Sequence, residues 1–179
     1  MSERFDLLFV CTGNICRSPT AELLAAAALP AERFRVHSAG TYGLHGYAIE
    51  PGAARELTAR GIDSASFRAR RLTEELVRDA DLILTATREH RGAVVTLDPH
   101  ALPRTFTMRE FARLLDHVQP AGDPRALVAL VAAARGRYAP ARPEDDDVAD
   151  PYGRGSVAYA AALMDITEAL RRPLEVLAG

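Results

Sequence analysis

The chain has 179 residues, 48% of them hydrophobic and 26% charged, which is long enough and apolar enough for one domain with a real core. Its 22 basic and 24 acidic side chains leave a formal net charge of −2, which argues against a nucleic-acid partner. There is no lysine, which excludes a Walker-type nucleotide loop and Schiff-base chemistry, and the only two cysteines, Cys11 and Cys16, lie too close in sequence to build a disulfide framework or a four-cysteine zinc site.

Taken in chain order, residues 5–10 form a nearly continuous apolar run, the pattern of a central parallel strand buried on both faces. Residues 11–19 then read as a strand-to-helix turn, and residues 20–29 as the helix, with Pro19 at a position a first helical turn tolerates. Residues 34–37 read as a second strand, ended by Ser38-Ala39-Gly40-Thr41. Residues 42–51 are a loop carrying Tyr42, Leu44, His45 and Tyr47, the kind of apolar and aromatic loop that lines a pocket. His45 has no partner in sequence and is read as a rim or surface residue.

Helical patterns follow at residues 52–60, stopped by Gly61, and at residues 73–79, with Thr73 as N-cap. Residues 80–85 are the third strand, with Ala86 and Thr87 at the end where ligands bind in open α/β sheets. Residues 88–95 are helical, 104–106 a weak fourth strand and 108–115 a further helix. Asp123-Pro124 opens another helix in cap-then-proline order, extended by residues 126–134. The segment 136–154 is the longest loop, and its run Glu144-Asp145-Asp146-Asp147 reads as a solvated acidic stretch. Residues 156–171 form the last helix, with Tyr159, Leu163, Ile166 and Leu170 on one face. Strand–helix alternation over the whole length predicts a three-layer α/β sandwich with a parallel sheet of about four strands, in a single domain spanning 1–179. No run of about 18 apolar residues and no leader-like N-terminus occurs, so the expected setting is the cytoplasm, without a membrane partner.

The chemistry concentrates in Cys11-Thr12-Gly13-Asn14-Ile15-Cys16-Arg17-Ser18-Pro19. A helix N-terminus presents unpaired N–H groups, and successive N–H groups in a tight loop form an anion nest. Gly13 and Asn14 are the residues able to take the left-handed conformation such a nest needs. Arg17 offers a planar fork for two phosphate oxygens. A positive field of this kind favours the thiolate of Cys11, a strong nucleophile, and Ser18 is placed to donate a hydrogen bond to it. Asp150 is the carboxylate with a set direction: Pro151 restricts its backbone to extended forms and sets Tyr152 beside it. The acidic run is expected to hold Asp150 in its protonated form. Cys16, across the same loop, is expected to trap an oxidised Cys11 as a disulfide.

Cys11-(five residues)-Arg17-Ser18 after a first strand, together with Asp150-Pro151-Tyr152, resembles the low-molecular-weight protein tyrosine phosphatases over essentially the whole chain. The resemblance implies the sheet order 2-1-3-4, metal-independent hydrolysis of phosphotyrosine in protein substrates through a phosphocysteine, and no cofactor. It implies that Cys11, Arg17 and Asp150 are catalytic, and that residues Thr12, Gly13, Asn14, Ile15, Cys16, Arg17 and Ser18 bind phosphate-like anions. Ser18 and Ser38 would support the loop, while Ile15, Tyr42, Leu44 and Tyr152 would form the substrate rim. Arg70 matches a retained arginine. Where the family places a histidine that supports the loop through the asparagine, this chain has Phe67, so either another group holds Asn14 or the loop is looser. A second rim aromatic is replaced by Gly153, which implies a more open mouth. Arsenate reductases share the loop but need a distant cysteine pair that is absent here. Phosphoarginine phosphatases share fold and motifs, and residues 82–90 have some of their flavour; their loop has threonine where Ile15 supplies an apolar wall suited to a phenyl ring.

Overall fold

The structure, a computed structural model, describes residues 4–120 and 122–179. Four strands form one all-parallel sheet: β1 (Phe5–Cys11), β2 (Phe34–Gly40), β3 (Leu82–Thr85) and β4 (Thr105–Thr107), in the spatial order β2-β1-β3-β4. The seven helices are α1 (Arg17–Ala28), α2 (Pro51–Thr58), α3 (Glu74–Asp79), α4 (Arg88–Leu97), α5 (Met108–Leu115), α6 (Pro124–Ala134) and α7 (Ser156–Ala178) among the described residues. Short 3₁₀ turns occupy Pro99–Arg104 and Pro143–Asp146.

The seven residues of β1 are all buried, and its side chains alternate between two cores. Phe5, Leu7, Phe9 and Cys11 face α1, α5, α6 and α7, while Leu8 and Val10 face Val77 of α3 and Val94 of α4. That two-sided burial explains the unbroken apolar run: a strand covered on both faces has no solvent side to mark with polar residues. A third cluster, built from Cys16, Ile49, Leu57, Phe67, Tyr159 and Leu163, joins α2 and α7 to the loop after β1. Phe67 is therefore a core residue, packed where an imidazole would be poorly served.

The sheet order fixes where a site can form. From β1 the chain crosses to β2 on one side and later to β3 on the other, so strand order reverses at β1. The crevice of an open parallel sheet lies at the carboxyl end of such a switch point. Cys11 is the last residue of β1 and pairs with Gly40, the last residue of β2.

Element ends differ from the sequence pattern for identifiable reasons. Helix α1 begins at Arg17, three residues before the apolar periodicity, because its first turn belongs to the loop rather than to the core. Helix α7 runs through Pro173 to Ala178, since buried Pro173 and Leu177 pack on the main core. The acidic run is not a free solvated stretch. Asp145 pairs with Arg142, Asp146 with Arg113 and Asp147 with Arg88, and Asp146 is buried. The expected pressure of that run on Asp150 is thus spent on arginine partners. Among the described residues no helix is long and apolar enough to cross a membrane.

Gly40 gives the fold a test. A Cβ there would lie 2.4 Å from the Thr12 carbonyl oxygen and 2.9 Å from the Asn14 nitrogen and the Gly43 Cα, all backbone atoms. Gly40→Ala is expected to destabilise the protein by about 1–3 kcal/mol, as overpacking against atoms that cannot swing aside. Gly92→Ala, inside α4 with nothing within 4 Å, is expected to stabilise by about 0.5–1 kcal/mol through the removed glycine entropy. Urea unfolding midpoints of the two variants should move in opposite directions.

Candidate active site

The loop between β1 and α1 is held from outside by its carbonyl groups. Cys11 O accepts from Thr41 N at 2.9 Å, Thr12 O from Tyr42 N at 2.9 Å, Gly13 O from Leu44 N at 3.0 Å and Ile15 O from Glu50 N at 2.8 Å. With those carbonyls turned outward, the amide groups of residues 12–16 turn inward, and they donate to no protein backbone acceptor among the described residues. Inward amides without protein acceptors are the geometry that an anion nest requires. The left-handed residue in it is Asn14 alone, at φ 56°. Gly13 does not share that conformation. A Cβ there would touch Ile15 and Leu44 side chains at 3.4 and 3.8 Å, so its bareness widens the cavity instead.

Asn14 is fully buried, and its amide is fully used. Nδ2 donates to Ser18 Oγ at 2.9 Å and to Ser38 Oγ at 2.7 Å, while Oδ1 accepts from the Arg70 backbone N–H at 2.9 Å. The Arg70 backbone thus serves Asn14 where Phe67 cannot. Arg70 Nε also donates to Ser38 O at 2.8 Å. Ser38 in turn donates to Glu22 at 2.5 Å, and burial pushes the Glu22 carboxyl up from its ordinary value. Ser18 Oγ lies 2.9 Å from Cys11 Sγ. Its oxygen already accepts from Asn14, and its other acceptor, Ala39 O, is 3.5 Å away. The close partners of the Ser18 hydroxyl are thus the Asn14 amide and the Cys11 sulfur.

Arg17, buried at the start of α1, is anchored from the far loop. Its Nη1 donates to Val148 O at 3.1 Å, and Val148 N donates to Ala86 O at the end of β3 at 2.8 Å. Its Nη2 lies 3.0 Å from Asp150 Oδ2, and its buried Nε has no hydrogen-bond partner among the described residues. Asp150 is about half exposed, with Oδ1 accepting from Tyr152 N at 3.1 Å. The Asp-Pro-Tyr turn therefore aims the carboxylate as its sequence implies. One cavity of about 250 Å³ is lined by Cys11, Thr12, Gly13, Ile15, Cys16, Arg17, Tyr42, Leu44, Asp150 and Tyr152. Every rim residue expected from sequence lines it; exposed His45 does not.

Two further features depend on contacts with segments distant in sequence. Cys16, against Tyr159 of α7, has its thiol pushed up to about 12, chiefly by burial, with the charges of Cys11, Glu50 and Asp150 adding to it. His90 of α4 is buried beside the loop, with Nε2 at 2.8 Å from Thr12 Oγ1 and Nδ1 at 2.9 Å from Thr87 Oγ1. Burial, then the nearby Arg17, lower its pKa to about 4, against the opposing pull of Asp150 and Asp147. Only the Thr87-x-x-His90 spacing at a helix start hints at the second contact, and nothing local hints at the first.

A family model described as low molecular weight phosphotyrosine protein phosphatase matches residues 6–124, which include the loop and stop short of Asp150. The chain is 37% identical over 103 residues to the low molecular weight protein-tyrosine-phosphatase Ptp of Acinetobacter johnsonii, covering 58% of this chain and 71% of that one. It is 30% identical over 174 residues to a protein-arginine-phosphatase of Geobacillus stearothermophilus, covering 97% of this chain and 96% of that one. The solved structure of the YwlE arginine phosphatase from Geobacillus stearothermophilus superposes with a TM-score of 0.73 at 29% identity, over 97% of this chain and 92% of that one. The nest closed by Arg17, the sheet order around it and these matches lead to one conclusion: the chain belongs to the low molecular weight phosphotyrosine protein phosphatase family.

Proposed function

We propose that the protein hydrolyses phosphotyrosine in protein substrates through a phosphocysteine at Cys11. The observation that carries this reading is the convergence of Cys11 Sγ with its Ser18 donor, the Arg17 fork and the Asp150 carboxylate on one cavity with apolar walls. The inward amides and Arg17 hold the non-bridging oxygens. Cys11 attacks phosphorus in line, forming the S–P bond as the P–O bond to the leaving oxygen breaks, and Asp150 protonates that oxygen. Water then attacks phosphorus, the S–P bond breaks, and Asp150 takes the water's proton. Fixed donors aimed at the equatorial oxygens supply most of the stabilisation.

The Arg17–Asp150 pair gives the cycle its order. A phosphate entering the nest takes the Arg17 fork, because two bidentate bonds to a dianion outweigh one contact to a half-exposed carboxylate. Asp150 is thereby released toward the leaving oxygen.

The activity test uses p-nitrophenyl phosphate and a phosphotyrosine peptide. Cys11→Ser should abolish turnover of both, and residual activity above a few per cent would sink the mechanism. Asp150→Ala should lower kcat on the phosphotyrosine peptide by ~10²–10⁴-fold, and by less on p-nitrophenyl phosphate, whose leaving group needs little protonation.

A second reading, hydrolysis of phosphoarginine, is favoured by the match to an arginine phosphatase over nearly the full chain. The wall at Ile15 separates the two readings. Ile15→Thr should lower kcat/KM on aryl phosphate by about tenfold, the worth of a lost apolar contact in a pocket, and shift the ratio toward phosphoarginine. An unchanged ratio would place selectivity elsewhere on the rim.

Oxidation gives a further expectation. Mild peroxide should convert Cys11 to a sulfenic acid, which removes one of the charges that keeps Cys16 protonated. Cys16 then closes a disulfide with release of water. Mass spectrometry should find the peptide spanning Cys11 and Cys16 lighter by two hydrogens and activity restored by dithiothreitol. Cys16→Ser should lose activity irreversibly, and equal recovery in that variant would rule the protective disulfide out.

A further inference from the structure

Both ring nitrogens of His90 are committed, and the hydrogens around them determine what Thr12 can do. The Thr87 hydroxyl oxygen caps α4 by accepting from the His90 backbone N–H at 3.3 Å. Among the described residues its own hydrogen has one acceptor in its recorded bonds, His90 Nδ1 at 2.9 Å. Nδ1 is therefore assigned as the bare nitrogen and Nε2 as the protonated one. Nε2 lies 2.8 Å from Thr12 Oγ1, so the imidazole donates and Thr12 accepts. Among the described residues the Thr12 hydroxyl hydrogen is left free, on an exposed residue that lines the cavity beside Cys11, Arg17 and Asp150.

The arrangement is locked from behind. Thr87 is tied to β3 through its carbonyl oxygen, which accepts from the fully buried Thr85 hydroxyl at 2.8 Å. The charged groups facing the ring are Arg17 from the loop and Asp147 and Asp150 from the far segment. Asp147 is itself paired with Arg88 of α4. A second proton on the ring would place a cation beside Arg17 and strip the Thr87 hydroxyl of its acceptor, so the neutral ring is the form that fits.

We propose, resting on the phosphatase reading above, that Thr12 binds through its side chain as well as its backbone, its hydroxyl donating to an oxygen of the bound phosphoryl group, and that His90 is the positioning residue that fixes this hydroxyl through Nε2. The oxyanion then meets a side-chain donor on the β3–α4 side of the cavity as well as the backbone nest and Arg17. Because the donor acts on an anion, its hydrogen bond belongs to the stronger, charge-assisted kind.

The test measures inorganic phosphate binding by calorimetry in a Cys11→Ser background, so that it does not depend on turnover. Thr12→Val, on an exposed position, should weaken phosphate binding by about tenfold or more, the worth of a hydrogen bond to a charged group. Thr12→Ser, which restores the hydroxyl, should bring the affinity back toward that of the parent. His90→Leu should weaken phosphate binding when Thr12 is present and add less than about a twofold change to Thr12→Val, as expected of a residue that acts through its partner. If His90→Leu does not fold, Thr87→Val takes its place in the cycle, because it removes the bond that sets the tautomer. Unchanged phosphate affinity in Thr12→Val overturns the proposal, and an equal loss from His90→Leu in both backgrounds overturns the positioning role. A wild-type protein that binds phosphate but hydrolyses neither aryl phosphate nor phosphoarginine overturns the phosphatase reading alone, and the binding cycle still decides the role of Thr12.

Discussion

Asn14 holds the loop in shape, and the rest of the site depends on its doing so. A left-handed backbone costs a residue with a side chain roughly 1–2 kcal/mol. Here the cost is offset by three buried hydrogen bonds from the same residue's amide, each worth about 0.5–1.5 kcal/mol, and by the larger penalty of leaving such an amide unpaired in the interior. The three partners lie on α1, β2 and the segment before α3, so one side chain ties together elements far apart in sequence. Reversing the chain direction at Asn14 is what lets the carbonyl groups of the loop face out and its N–H groups face in. The same amide fixes Ser18 beside Cys11, since Asn14 donates to the Ser18 oxygen that lies 2.9 Å from the sulfur.

Around that loop the charges are distributed by arginine forks. Asp145, Asp146 and Asp147 each have their own arginine, and Glu110 accepts from both Arg91 and Arg135. Asp150 differs because its arginine, Arg17, lines the same cavity as Cys11. On the mechanism proposed above, the free site would hold its acid against the residue that substrate claims. Since Arg17 also donates to Val148 O, the segment carrying Asp150 is registered to this arginine by a second contact, one to its backbone.

The sequence discloses what depends on local spacing and conceals what depends on approach between distant segments. Cys11, Arg17 and Ser18 are legible because a nest and a helix start need consecutive residues, here 11–18, and Pro151 makes the direction of Asp150 legible. Ser38 could be placed only by resemblance. Phe67 shows the opposite case: the substitution is visible, but its remedy, the backbone N–H of Arg70, is not, because any residue carries that donor. The assignment of left-handed backbone to Gly13 as well as Asn14 follows from residue type, and it fails at Gly13 because the turn needs only one such residue. His90 stays hidden because its partner Thr12 lies 78 residues away. The acidic run looks solvated in sequence because the arginines that pair with it are scattered over two helices and a turn.

The walls of the cavity divide into a side built into the nest and a side carried by the Asp-Pro-Tyr turn, and this bears on how one fold serves both tyrosine and arginine phosphatases among its relatives. Tyr42 and Leu44 sit on a segment whose amides hold the loop carbonyls, so they cannot shift without disturbing the nest. Ile15 is part of the loop itself. Tyr152 stands on the other side, followed by Gly153 and Gly155, both with positive φ, and is 63% exposed. On the mechanism proposed above, a substrate's leaving group would be met by a wall built into the nest and by one exposed aromatic ring. Asp150 lies two residues before that ring and accepts from the Tyr152 backbone N–H at 3.1 Å, so a change at Tyr152 would bear on the carboxylate as well as on the wall. Discrimination by the ring would then appear in kcat, through the placement of Asp150, whereas discrimination by Ile15 would appear in binding and transition state alike.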